Sequence, residues 1–138
     1  MILLVAAVLS ACAARPVALA PGYQQPTLHF FVAHAAGDDS HMEEAIAAEL
    51  RTRGLTATGG PYEQMPSDTD VLVIYSDSWW ANILAQGEIL RLEARNARTG
   101  HTIASAEQRW VSYVFDTPST LVADAVTQML GASPSEAH

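Results

Sequence analysis

Two long runs of strand-forming residues, 83–95 and 102–115, flank the short segment Ala97-Arg98-Thr99-Gly100. Gly100 suits the left-handed position that closes a type I turn with a G1 bulge. With the turn there, Leu90 faces Gln108, Leu92 faces Ala106 and Ala94 faces Ala104, while Arg91 faces Glu107 and Glu93 faces Ser105. One face of the hairpin is then largely apolar and the other charged, which is what a sheet covered on one side needs. The turn chemistry and the side-chain alternation select the same register, and a slip of one residue inverts both faces.

The remaining segments supply partners for that hairpin. Residues 71–75 (VLVIY) are apolar without alternation, the pattern of a strand covered on both faces and hence central. Residues 28–34 (LHFFVAH) read as a first strand. Gly37-Asp38-Asp39 is a turn, and Ser40-His41-Met42-Glu43 has capping-box spacing, Ser40 as N-cap and Glu43 reaching back. The following helix runs to about Arg53 and stops at Gly54; Met42, Ala45, Ile46, Glu49, Leu50 and Arg53 share a side, the apolar ones as core stripe. A short strand at 55–58 ends at Gly59-Gly60-Pro61, and a loop occupies 61–69. Thr117-Pro118 opens the last helix, whose apolar stripe is Leu121, Val122, Ala125, Val126, Met129 and Leu130. The expected fold is α+β: a single mixed sheet in the order β-α-β-β-β-β-α with two helices packed on it. If the first two strands are parallel, their crossover is right-handed.

The chain has 138 residues, 49 % of them hydrophobic, enough for one packed core. Its formal net charge of −8, with 15 acidic residues, 7 arginines and no lysine, argues against nucleic acid as a partner. The N-terminus is organised differently. Residues 1–14 read MILLVAAVLSACAA; as a helix they span roughly 21 Å, short of the about 30 Å of a hydrocarbon core. The run fits the apolar region of a secretory signal over residues 1–11. No basic segment precedes it, so Met1 is expected to be an internal start. Residues 12–27, with Pro16, Pro21 and Pro26, read as an extended tether. The domain is expected over 28–131 and a frayed tail over 132–138.

The search for catalytic chemistry yields little. Gly59-Gly60 precedes Pro61 rather than a helix, and no lysine is present to reach a phosphate. Asp70 and Asp77 lie roughly 20 Å apart if extended, too far to act on one bond. His34, Asp38, Asp39 and His41 fall within eight residues. They also suit a turn ahead of a helix, so no metal ligand and no cofactor is assigned. Trp79 and Trp80 lie in a segment, 76–82, that links the central strand to the hairpin. Alternation sends them to opposite faces: one is expected in the core, the other outward as an anchor for a partner.

Leu9-Ser10-Ala11-Cys12, with the apolar run before it and the sole cysteine within it, resembles the lipobox of bacterial lipoproteins. The resemblance implies cleavage before Cys12, acylation of its thiol and amine, and anchoring in a bilayer; without an Asp after Cys12 it implies the outer membrane of a Gram-negative cell, facing the periplasm. The segment DVLVIY at 70–75, two long strands around Asn96-Ala97-Arg98-Thr99-Gly100 and a terminal helix resemble small α/β domains of Gram-negative envelope lipoproteins: the curli-secretion lipoprotein, activators of penicillin-binding proteins and auxiliary lipoproteins of lipid-transport ABC systems. The function expected is that of a non-enzymatic, lipid-anchored protein that binds or scaffolds another envelope component. The alternative is a periplasmic metal- or small-ligand-binding domain using His34, Asp38, Asp39 and His41.

Overall fold

The computed structural model describes residues 17–112 and 120–131. Among the described residues five strands, β1 (His29–Ala33), β2 (Thr56–Gly60), β3 (Val71–Ala81), β4 (Gln86–Asn96) and β5 (Thr102–Ser112), form one sheet in the order β2-β1-β3-β4-β5. β1 runs parallel to β2 and β3, while β3-β4 and β4-β5 are antiparallel, so the sheet is mixed. Parallel neighbours cannot be joined by a tight turn. The connection from β1 to β2 is α1 (Met42–Thr52), and α2 (Leu121–Leu130) follows β5. The expected class and element order are those observed.

Both helices cover one face. Phe30, Val32, Val71, Val73, Leu90, Leu92, Ala94, Ala104 and Ala106 from the sheet meet Ile46, Leu50, Ala125, Val126 and Met129 from the helices in a single buried cluster. On the other face Phe31, Ala33 and Leu72 pack with Met65, Ile74 and Ala97. Met65 belongs to the connection between β2 and β3, which covers that face only near β1. This two-sided cover explains the unbroken apolar run at the start of β3.

The β4-β5 register is the expected one at all five pairs named above, with a bulge between Ala94 and Arg95. Gly100 has φ +75° and its amide donates to the Asn96 carbonyl at 2.8 Å. On the solvent face Arg91 Nε donates to Glu107 at 2.8 Å.

Several local expectations are corrected. Ser40 does not cap α1. Asp38 does: its carboxylate accepts from the Ser40 amide at 2.9 Å, the Ser40 hydroxyl at 2.6 Å and the Met42 amide at 2.9 Å. The buried positions of α1 are Glu43, Ile46, Ala47 and Leu50, one helical stripe, and Ala45 faces solvent. β2 is displaced to Thr56–Gly60, taking in both glycines, because its partner β1 continues to Ala33. Residues 76–81 are not a link but the second half of β3, and β4 starts at Gln86 rather than at 83. A tight turn carries Ile83 and Leu84, with Asn82 Oδ1 accepting from the amides of Leu84 and Ala85.

Residues 17–27, expected within the tether, lie on the domain. Leu19 is buried and its amide donates to the Met129 carbonyl at 2.7 Å. Val17 bridges Ser105 at the sheet edge, and Gln24 Nε2 donates to the carbonyls of Leu19 and Leu130. The prolines oppose a regular α-helix but allow one 3-10 turn at Pro21–Tyr23 and an extended stretch before it, where Val17 and Leu19 bond β5 and α2. Thr117-Pro118, Cys12 and the tail lie outside the described residues.

Candidate functional site

β1 ends beside the start of α1, and β3 runs past that junction. Three elements therefore converge at one place: His34 just after β1, the turn carrying Asp38 and His41 with the first turn of α1, and Tyr75 on β3. Pairing of β1 with β3 sets Tyr75 level with this turn. Its hydroxyl accepts from the Ala35 amide at 3.2 Å and donates to Asp38 Oδ2 at 2.6 Å, with Glu43 Oε2 also within 3.0 Å.

Glu43 is the centre of the group. It is only 4 % exposed and occupies the place on the α1 stripe where an apolar residue would continue the core. His34 Nδ1 lies 3.0 Å from Glu43 Oε2, and His41 Nδ1 lies 3.4 Å from Glu43 Oε1. The two imidazole rings have centroids 6.0 Å apart. His34 Nδ1 is buried and, despite the short contact, makes no aligned hydrogen bond. His41 has φ +54°, the sole positive φ outside glycine among the described residues.

The electrostatics follow from these contacts. The Glu43 carboxylate beside His34 holds that imidazole's pKa above its ordinary value, against the opposing effect of burial. Burial works against the charge on Asp38, yet hydrogen bonds from the Ser40 and Tyr75 hydroxyls and from the Met42 and Ser40 amides prevail and hold it well below the carboxylate range. Burial likewise opposes ionisation of Glu43, but His34, Tyr75 and His41 together lower its pKa. Tyr75 is pushed up by burial first, with Asp38 and Glu43 adding to it.

Of the four residues grouped from the sequence, the structure brings His34, Asp38 and His41 together and leaves Asp39 exposed. Sequence reasoning missed Glu43, assigned to a capping box, and Tyr75, read as strand core. The signal for Glu43 was its spacing: with Ile46, Ala47 and Leu50 it completes an i, i+3, i+4, i+7 pattern in which it is the only charged member.

A second region lies at the far end of the β3-β4 hairpin. Trp79 is 61 % exposed and Trp80 41 %, so neither indole is in the core, contrary to expectation. Residues 76–81 of β3 are exposed throughout, both indoles with them. Trp80 lies over Gly87, its register partner, where an added Cβ would meet the indole at 2.5 Å. Ile83 and Leu84 are exposed at the tip. Beside them Glu88, opposite Trp79, is buried; burial and a hydrogen bond with Asp77 push its pKa up to about 7.

No protein-family model matches the chain, nor does any curated protein. Solved structures do. Two structures of PelC from Paraburkholderia phytofirmans, both dodecamers, share the fold: one is 14 % identical with TM-score 0.61 over 84 % of this chain and 94 % of PelC. The other is 12 % identical with TM-score 0.60 over 86 % and 96 %. A looser match, TM-score 0.49 and 12 % identity over 72 % of this chain and 93 % of the other, is to the lipoprotein GNA1162 from Neisseria meningitidis. At such identities the likeness is one of fold.

Proposed function

We propose that this chain is a lipid-anchored, non-catalytic envelope protein, tethered through acylated Cys12 to the outer membrane and facing the periplasm, where it binds or scaffolds another envelope protein. The observation that carries the reading is the apolar end of the β3-β4 hairpin. Trp79, Trp80, Ile83 and Leu84 are exposed within one hairpin end. Adjacent exposed apolar residues of this size mark interaction surfaces, and aromatic anchors dominate their energetics. The sole cysteine within Leu9-Ser10-Ala11-Cys12 supports the anchor. A PelC of the same fold forms a dodecamer, which supports a scaffold that works as an assembly.

Crosslinking in the envelope followed by pulldown tests the surface: Trp79→Ala combined with Leu84→Ser is expected to remove the captured protein while leaving the fold intact. Unchanged capture overturns the hairpin end as the contact. Mass analysis of membrane-extracted protein tests the anchor, which requires a chain beginning at acylated Cys12. A chain with an unmodified Cys12 in the soluble fraction overturns it.

A further inference from the structure

We propose that His34, His41 and Glu43 form a site for one divalent transition-metal ion of the zinc type at the junction of β1 and α1. This does not rest on the scaffold reading. One donor atom from each of the three residues lies within 4.8 Å of the others. For metal–ligand bonds of about 2.0–2.1 Å, a tetrahedral arrangement sets neighbouring donors about 3.3 Å apart. The two contacts to Glu43, 3.0 Å and 3.4 Å, bracket that spacing. Donor atoms up to 4.8 Å apart close to that spacing when a cation bridges all three.

The chemistry of the group also suits a cation. Asp38 and Glu43 share the single hydroxyl proton of Tyr75, so one carboxylate always lacks that donor. The Glu43 carboxylate, on the apolar stripe of a helix, is met by both imidazoles and the Tyr75 hydroxyl, the arrangement in which a cation can replace protons. His34 Nδ1 is buried 3.0 Å from Glu43 Oε2 without an aligned hydrogen bond, and on losing its proton it offers a lone pair beside that carboxylate. A divalent ion satisfies both at once. Two imidazoles and one carboxylate select zinc-like ions over calcium or magnesium, which prefer all-oxygen sites.

The surroundings complete the site. Tyr75 holds Glu43 and is itself held by Asp38, as outer partners orient metal ligands elsewhere. The strained backbone at His41 brings its ring to the group, and strain of this kind persists where surrounding structure compensates it. The His41 side chain is largely exposed, so the ion has an entry path and a coordination position open to water.

The test is binding of zinc chloride alone to the full chain in detergent, any free Cys12 thiol being alkylated. One ion per chain is expected, with a melting temperature raised by about 10 °C at a hundredfold excess over Kd. His41→Gly is the informative variant, because φ +54° suits glycine and the fold should survive. It should leave the metal-free melting temperature unchanged or higher and weaken binding at least tenfold. His34→Gln should also weaken binding at least tenfold, and cobalt bound to the parent should show a four-coordinate visible spectrum that both variants lose. Less than one ion per chain, or parental affinity in both variants, overturns the site.

Discussion

The β3-β4 ladder is continuous over eleven residue pairs, but its two halves obey different rules. In the half near β1, Tyr75 faces Leu92 and Val73 faces Ala94, all buried under the helices. In the far half, Trp79 faces Glu88, and the usual partition is reversed: the indole is 61 % exposed and the carboxylate 7 %. The backbone hydrogen bonding is of one kind throughout. What changes is the cover. Helix packing removes apolar side chains from water in the near half and still covers Leu90, opposite Asp77, whereas residues 76–81 of β3 are all exposed. Strand pairing alone therefore does not place side chains in a core; a second layer must supply one.

That contrast can be broken most severely at Leu92. Leu92→Asp puts an unpaired charge beneath the helices and should destabilise the domain by about 3–5 kcal/mol, to the point of unfolding, in urea denaturation. Next comes Glu88. Its ordinary pKa near 4.5 is raised to about 7 in the fold. Below about pH 4.5 it is protonated in folded and unfolded chains alike. As the pH rises from there to about 7 the unfolded chain releases the proton while the folded chain retains it, so this group's stabilisation is lost; above pH 7 the loss is complete. Glu88→Gln should therefore match the parent at pH 4 and exceed it by about 1–3 kcal/mol at pH 8, read from melts at both pH values.

Smaller effects sharpen the same comparison. Trp80→Ala uncovers Gly87 and should cost about 1 kcal/mol, whereas Trp79→Ala should cost under about 0.5 kcal/mol, both far below a core tryptophan. Equal losses of about 3 kcal/mol or more in chemical denaturation would show a core role for both indoles. Arg91→Ala, on the solvent face, should cost less than about 1 kcal/mol, since its pairing with Glu107 is half exposed and screened.

The two hairpins show why one half was easier to read. Around Gly100 the turn residue and the alternation agree, and every inward residue from 90 to 94 has an apolar or neutral partner, so the register follows without knowledge of the rest. Around Asn82 no glycine marks the turn, and Ile83 and Leu84 look like strand. The available signal was Asn82 itself, whose side chain caps the turn amides just as Asn96 does in the other hairpin. The candidate metal group was half legible. His34, Asp38 and His41 are near in sequence, but Tyr75 lies 32 residues beyond Glu43 and reaches it only through the pairing of β1 with β3.

By itself the sequence determined the class of the fold, the β4-β5 register, the central place of the strand at 71–75 and the lipobox resemblance, because each rests on local periodicity, turn chemistry or contiguous motif. The tertiary structure alone decided that Leu19 is part of the core, that Glu43 is buried and that both tryptophans are not. Those outcomes depend on where the helices end over the sheet and on which strands lie side by side. Burial belongs to the packed layers, and a residue's own chemistry cannot announce how far the layer above it extends.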